Sequence, residues 1–176
     1  MHKINKKQDI TMQSNQITPG IRFTELLRYD RPQAAAWVTG NVANPRLSGL
    51  VKFYQTSYGG VLVEAEFFGL PDKKEPTADS FFAMHIHQFG DCSGDFSKTG
   101  AHYNPKEEPH PFHAGDLLPL LGSQGYAWSA FYTKRFTIKE IIGKSVIIHS
   151  DPDDFTTQPS GNSGTKIGCG EIRRIL

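Results

Sequence analysis

Val61-Leu62-Val63-Glu64-Ala65-Glu66-Phe67-Phe68 sets apolar side chains against acidic ones with a period of two. Successive side chains of a strand point to opposite faces. Val61, Val63, Ala65 and Phe67 therefore share one face, with Glu64 and Glu66 on the other, and the stretch reads as a β-strand with a buried side. Tyr58-Gly59-Gly60 precedes it and reads as a turn. On the far side of that turn, residues 49–55 alternate again, with Leu50, Lys52 and Tyr54 set against Val51, Phe53 and Gln55. Further strands are expected over 36–42, 81–88, 126–136, 145–149 and 167–175. Residues 71–80, PDKKEPTADS, form a loop by composition, and 89–125 carry too many prolines and glycines for regular structure. A single helical turn is expected at 137–142. Many short strands with two long irregular loops predict an all-β sandwich or barrel.

The composition agrees with one globular domain. Hydrophobic residues make up 38% and charged residues 21% of the 176, with 17 glycines and 11 prolines. Nineteen basic residues balance 18 acidic ones, so neither nucleic acid nor an anionic membrane is an expected partner. No apolar run approaches the ~20 residues needed to span a bilayer. Residues 1–32 are polar, hold one short helical signal at 21–27 and end at Arg31-Pro32. They read as an appended arm, with the domain at 33–176. No apolar stretch follows the first positive charges, so the N-terminus does not read as a secretory signal. As it stands the sequence is read as cytoplasmic, with a periplasmic or cell-envelope location as the alternative if an export signal has been removed.

Six of the seven histidines fall between residues 85 and 149. His85 and His87 sit at i and i+2 on an expected strand, so both project from one face while Met84 and Ile86 point into the core. Alone, such a pair is more often solvated surface than half a metal site. His102 follows in Gly100-Ala101-His102-Tyr103-Asn104-Pro105, and His110, His113 and Asp116 follow in HPFHAGD. Three imidazoles and a carboxylate suit tetrahedral zinc. His149 ends the apolar run from Ser145. Together with His85, His87 and His102 it makes an all-imidazole set that suits copper. Two four-donor sites need eight ligands, yet only seven candidates exist. The count closes if His102 serves both metals through its two ring nitrogens as an imidazolate, which only two flanking cations would stabilise. Cys92 and Cys169 are the only cysteines; two buried thiols and one bridge are both open on this evidence.

These stretches resemble the copper–zinc superoxide dismutase family, in its bacterial form: HIHQFGDC at 85–92, TGAHYNP at 99–105, HAGDL at 113–117, VIIHSDPDD at 146–154 and GNSGTKIGCGEI at 161–172. The resemblance covers roughly 33–176. It implies an eight-stranded Greek-key β-barrel that disproportionates superoxide at copper bridged to zinc. It also implies copper on His85, His87, His102 and His149, zinc on His102, His110, His113 and Asp116, and a disulfide between Cys92 and Cys169. Asp153 matches a carboxylate that links a copper histidine to a zinc histidine, with Asp154 a close competitor. Members are monomers or homodimers. Three departures stand out. Only Pro111 and Phe112 separate His110 from His113, the loop after His149 is short, and Lys166 replaces the family's arginine beside copper. Lysine keeps the charge but not the planar fork, so superoxide attraction is expected to survive and turnover to fall modestly. The alternatives are a non-catalytic copper- or zinc-binding relative, a module with structural metals only, and a zinc hydrolase. The last lacks an HExxH-like arrangement.

Overall fold

The computed structural model describes residues 18–71 and 80–176. These fall into two units that divide after Asp30. The described part of the first is one helix, α1 (Pro19–Tyr29), longer at both ends than the expected 21–27. Pro19 in its first turn brings a φ already set for a helix and removes an N–H that would have no partner there. Arg22 and Glu25 pair one turn apart at 2.8 Å.

The second unit runs from Arg31 to Leu176 and is built from strands. These are β1 (Ala34–Gly40), β2 (Ser48–Gln55), β3 (Val61–Phe68), β4 (Phe81–Phe82), β5 (Met84–His87), β6 (Leu120–Leu121), β7 (Tyr126–Thr133), β8 (Ser145–His149) and β9 (Lys166–Arg174). Seven of them form one antiparallel sheet in the order β5-β8-β9-β1-β2-β3-β7, and β4 pairs with β6. Chain continuity closes the barrel. β4 and β5 are one run that changes partner at Ala83, and β6 turns directly into β7 through paired backbone bonds between Ser123 and Tyr126. With β4 and β5 counted as one strand there are eight. The connections from β3 to β4 and from β7 to β8 each skip two strands, which gives the Greek-key topology.

Burial follows the alternation. Val61, Val63, Ala65 and Phe67 of β3 are buried and Glu64 and Glu66 are not. Val51 and Phe53 of β2 face the same core, joined by Met84, Ile86, Val146, Ile148 and Ile172. Tyr54 lies on the side of β2 opposite Val51 and Phe53. It is buried, and its hydroxyl donates to Glu64 Oε2 at 3.0 Å. The expected helical turn is present as α2 (Ile138–Ile141), opened by a capping box between Thr137 and Glu140. β6 lies inside the stretch expected to be irregular. Its two residues, Leu120 buried and Leu121 exposed, are too few for a period to register.

Ile86 ties the site strand to the core: it is fully buried between two histidines that face the other way. Ile86→Ala should lower unfolding free energy by about 2–5 kcal/mol, read by urea titration of metal-free protein. A loss below about 1 kcal/mol would show that β5 is not anchored through this side chain.

Candidate metal centre

β5 is an edge strand of the seven-stranded sheet. An open edge leaves backbone groups unpaired, and the loop that follows β5 folds back to pair with them. Ile86 N–H donates to Gly115 O, Tyr103 N–H to Ile86 O and Gln88 N–H to Ala101 O, at 2.8, 2.8 and 3.0 Å. This pairing sets Asp116 opposite His85 and His102 opposite His87. A side chain on Gly115 would press on the Ile86 carbonyl, so glycine is what lets the loop approach this closely. From the other side, β8 pairs with β5, and the register with β9 shifts between Ile148 and His149. Such a bulge re-aims a side chain, and His149 ends β8 beside His87, their Nε2 atoms 3.3 Å apart.

The structure brings every expected ligand into two overlapping groups. His85, His87, His102 and His149 form one, and His102, His110, His113 and Asp116 form the other. Within each group the potential ligand atoms lie within 4.8 Å of one another and every residue is buried. Hydrogen bonds fix which nitrogen faces inward. His87 Nδ1 lies 2.9 Å from Gly100 O, which can only accept, so the proton sits on Nδ1 and Nε2 offers a lone pair. His85 and His110 each place Nε2 2.8 Å from one oxygen of Asp153, which leaves both Nδ1 atoms facing inward. Asp153 thus spans the two groups. Asp154 turns away to bond Thr156 and Thr157. A side chain at Gly161, where φ is +69°, would collide with the Asp153 carboxylate.

The inward atoms are short of partners. His85 Nδ1, His102 Nε2 and His110 Nδ1 are buried without a hydrogen bond. His110 Nδ1 lies 3.2 Å from Asp116 Oδ2 without hydrogen-bond alignment. His113 Nδ1 approaches His102 Nδ1 at 3.4 Å. Buried polar atoms are normally satisfied, and lone pairs that converge without a proton between them need a cation. Four imidazoles suit copper, and three imidazoles with one carboxylate suit zinc, so the donor sets fit both metals. His102 is the one residue common to both groups.

The electrostatics favour neutral donors. Burial pushes the imidazoles of His85, His87 and His149 down from 6.5, to about 4, about 2 and about 3. Burial lowers His113 as well. For Asp116, burial acts upward, but His102, His113 and His110 outweigh it and hold the carboxyl below its ordinary value. Asp153 is likewise pushed up by burial and pulled lower still, to about 2, by His85, the Phe155 N–H and His110.

A pocket of about 560 Å³ opens over the first group, lined by His87, His102, His149, Glu107 and Lys166 among others. The Lys166 ammonium donates to Thr99 Oγ1, Gly100 O and Phe96 O at 2.8, 3.1 and 3.3 Å. All three of its protons therefore have acceptors in the protein. The loop that supplies these acceptors is tied to β9 by the disulfide Cys92–Cys169, with the Cα atoms 5.6 Å apart. Sequence reasoning did not find the carbonyl of Gly100, which accepts from both His87 and Lys166. A backbone group carries no mark in the sequence.

The family model for copper/zinc superoxide dismutase matches residues 47–172. An extracellular copper–zinc superoxide dismutase from Oryctolagus cuniculus is 36% identical over 140 residues, which cover 74% of this chain and 57% of that protein. Superoxide dismutase [Cu-Zn] 3 from Arabidopsis thaliana is 31% identical over 156 residues, 80% of this chain and 89% of that one. The chain thus spans a little over half of the extracellular relatives and most of the plant one. Among solved structures, that of the clock protein EA4 aligns with a TM-score of 0.69 at 27% identity, covering 82% of this chain and 96% of that one.

The lowered imidazoles carry a pH consequence. In the unfolded chain these groups take up protons near 6.5, whereas the folded ones at 85, 87 and 149 do so only near 4 or below. Between those values the unfolded state binds more protons, so stability falls as pH falls. Metal-free protein should therefore lose melting temperature steadily from pH 6.5 to 4. A flat profile would mean that the rings are protonated in the folded state.

Proposed function

Because the chain belongs to the copper/zinc superoxide dismutase family, we propose that it disproportionates superoxide to dioxygen and hydrogen peroxide. His85, His87, His102 and His149 would hold copper, and His102, His110, His113 and Asp116 would hold zinc. The observation that carries this reading is the position of His102, a buried imidazole that belongs to both donor groups. Copper, when bound, would supply the one-electron redox chemistry that superoxide disproportionation requires.

The protein's own groups hold the donors in place and handle charge and protons. Asp153 accepts from His85 and His110 together, so one carboxylate orients a ring in each set. Gly100 O fixes the tautomer of His87. His102 lines the pocket, and its Nε2 has no hydrogen-bond partner. It can take a proton there during the cycle and give it to the departing peroxide, while Nδ1 stays beside Asp116. The second proton comes from solvent. Lys166 lines the same pocket, and its charge attracts the anion across space while its protons stay on the loop. The domain at 33–176 carries this activity without the arm at 1–32. The disulfide and the extracellular relatives are both compatible with export.

Protein loaded with copper and zinc should remove superoxide, and the same protein stripped of metal should not. A loaded chain with no activity would favour a copper-holding relative instead. Lys166→Met should lower the second-order rate at low salt by roughly tenfold and flatten its dependence on ionic strength. An unchanged salt dependence would show that Lys166 does not guide the anion.

A further inference from the structure

The segment from His110 to Asp116 carries three of the four donors assigned to zinc, and it has almost no backbone ladder of its own. Among the described residues, its internal backbone bonds and that of its neighbour Pro109 are Phe112 N–H to Pro109 O and Asp116 N–H to His113 O, at 2.8 and 3.2 Å. Two side chains from outside take up its free backbone groups. One is Arg135, beyond the end of β7. Its Nη1 donates to Pro111 O, Asp116 O and His113 O at 2.9, 3.2 and 3.3 Å. The other is Gln158, in the loop after β8. Its Nε2 donates to His110 O at 2.7 Å and its Oε1 accepts from His110 N–H at 3.0 Å.

These contacts fall where the segment is shortest. Only two residues separate His110 from His113, and the two turn bonds, at 109–112 and 113–116, leave the carbonyls of His110, Pro111 and Asp116 without a partner inside the segment. Arg135 gathers carbonyls on both sides of His113, and Gln158 pairs with His110 as a neighbouring strand would. We propose that Arg135 and Gln158 are positioning residues for zinc: they hold the shortened loop in its ligating shape before the metal arrives. Both bond the backbone of 110–116 rather than a ring of His85, His87 or His149, so the effect is selective for one metal. The inference rests on the assignment of zinc to His102, His110, His113 and Asp116.

The test compares wild type with Arg135→Met, Arg135→Lys and Gln158→Leu, each as full-length protein. Zinc and copper affinities are measured by chelator competition, and cobalt is placed in the zinc set to read its ligand geometry by visible absorption. The methionine and leucine variants should lose about 10- to 100-fold in zinc affinity, with a broadened cobalt spectrum and nearly unchanged copper affinity. Arg135→Lys keeps a cation able to reach the carbonyls and should recover part of the loss. Equal loss of both metals with a lowered melting temperature would mean a merely structural role and overturn the proposal. So would unchanged zinc affinity in a wild-type background that binds zinc. If His113→Ala binds zinc as tightly as wild type, the zinc assignment itself falls, and the positioning role falls with it.

Discussion

Lone pairs that converge in a buried space set the terms for the rest of this molecule. His85 Nδ1, His102 Nε2 and His110 Nδ1 face inward with no hydrogen-bond partner, and His87 and His149 bring their Nε2 atoms within 3.3 Å of each other. Burial keeps several of these rings neutral. A hydrophobic replacement would pack the same volume without that cost. Two cations sharing His102, as proposed, would satisfy all the inward donors with seven side chains.

The barrel supplies the rigidity that this sharing requires. β5 presents two rings from one face while Met84 and Ile86 lock its other face into the core. β8 brings His149, re-aimed by the register shift at its end. His110, His113 and Asp116 come from a loop that bonds to the edge of β5, to Asp153, and to side chains at 135 and 158. Fold and site are thus coupled in one direction. On the proposed assignment, the sheet positions the copper donors directly and the zinc donors through borrowed contacts. Asp153 joins the two halves by accepting from a ring in each.

Much of this was legible in the residues. The alternation in β3 marked the strand class and its buried face, because a period of two survives wherever one side of a sheet meets a core. The i, i+2 spacing of His85 and His87 placed both rings together, and the ligand count singled out His102. What stayed hidden has a common cause. The buried Tyr54 hydroxyl finds Glu64 on the neighbouring strand, a pairing that only register reveals. Arg135 and Gln158 act on backbone carbonyls distant in sequence, and nothing in their own neighbourhoods marks them. Lys166 stood out as a charge beside the copper set. The structure adds that its protons are all held by the loop at 96–100, so its charge, rather than its donors, remains for the pocket.

The central claim is that one imidazole completes both metal sites. Its most direct test is metal binding by a His102→Ala variant, with copper and zinc titrated separately and together against wild type. The account predicts weakened binding of both metals, with any residual sites behaving independently. Retention of both metals at wild-type affinity would contradict it, because each site would then be complete without the shared ring.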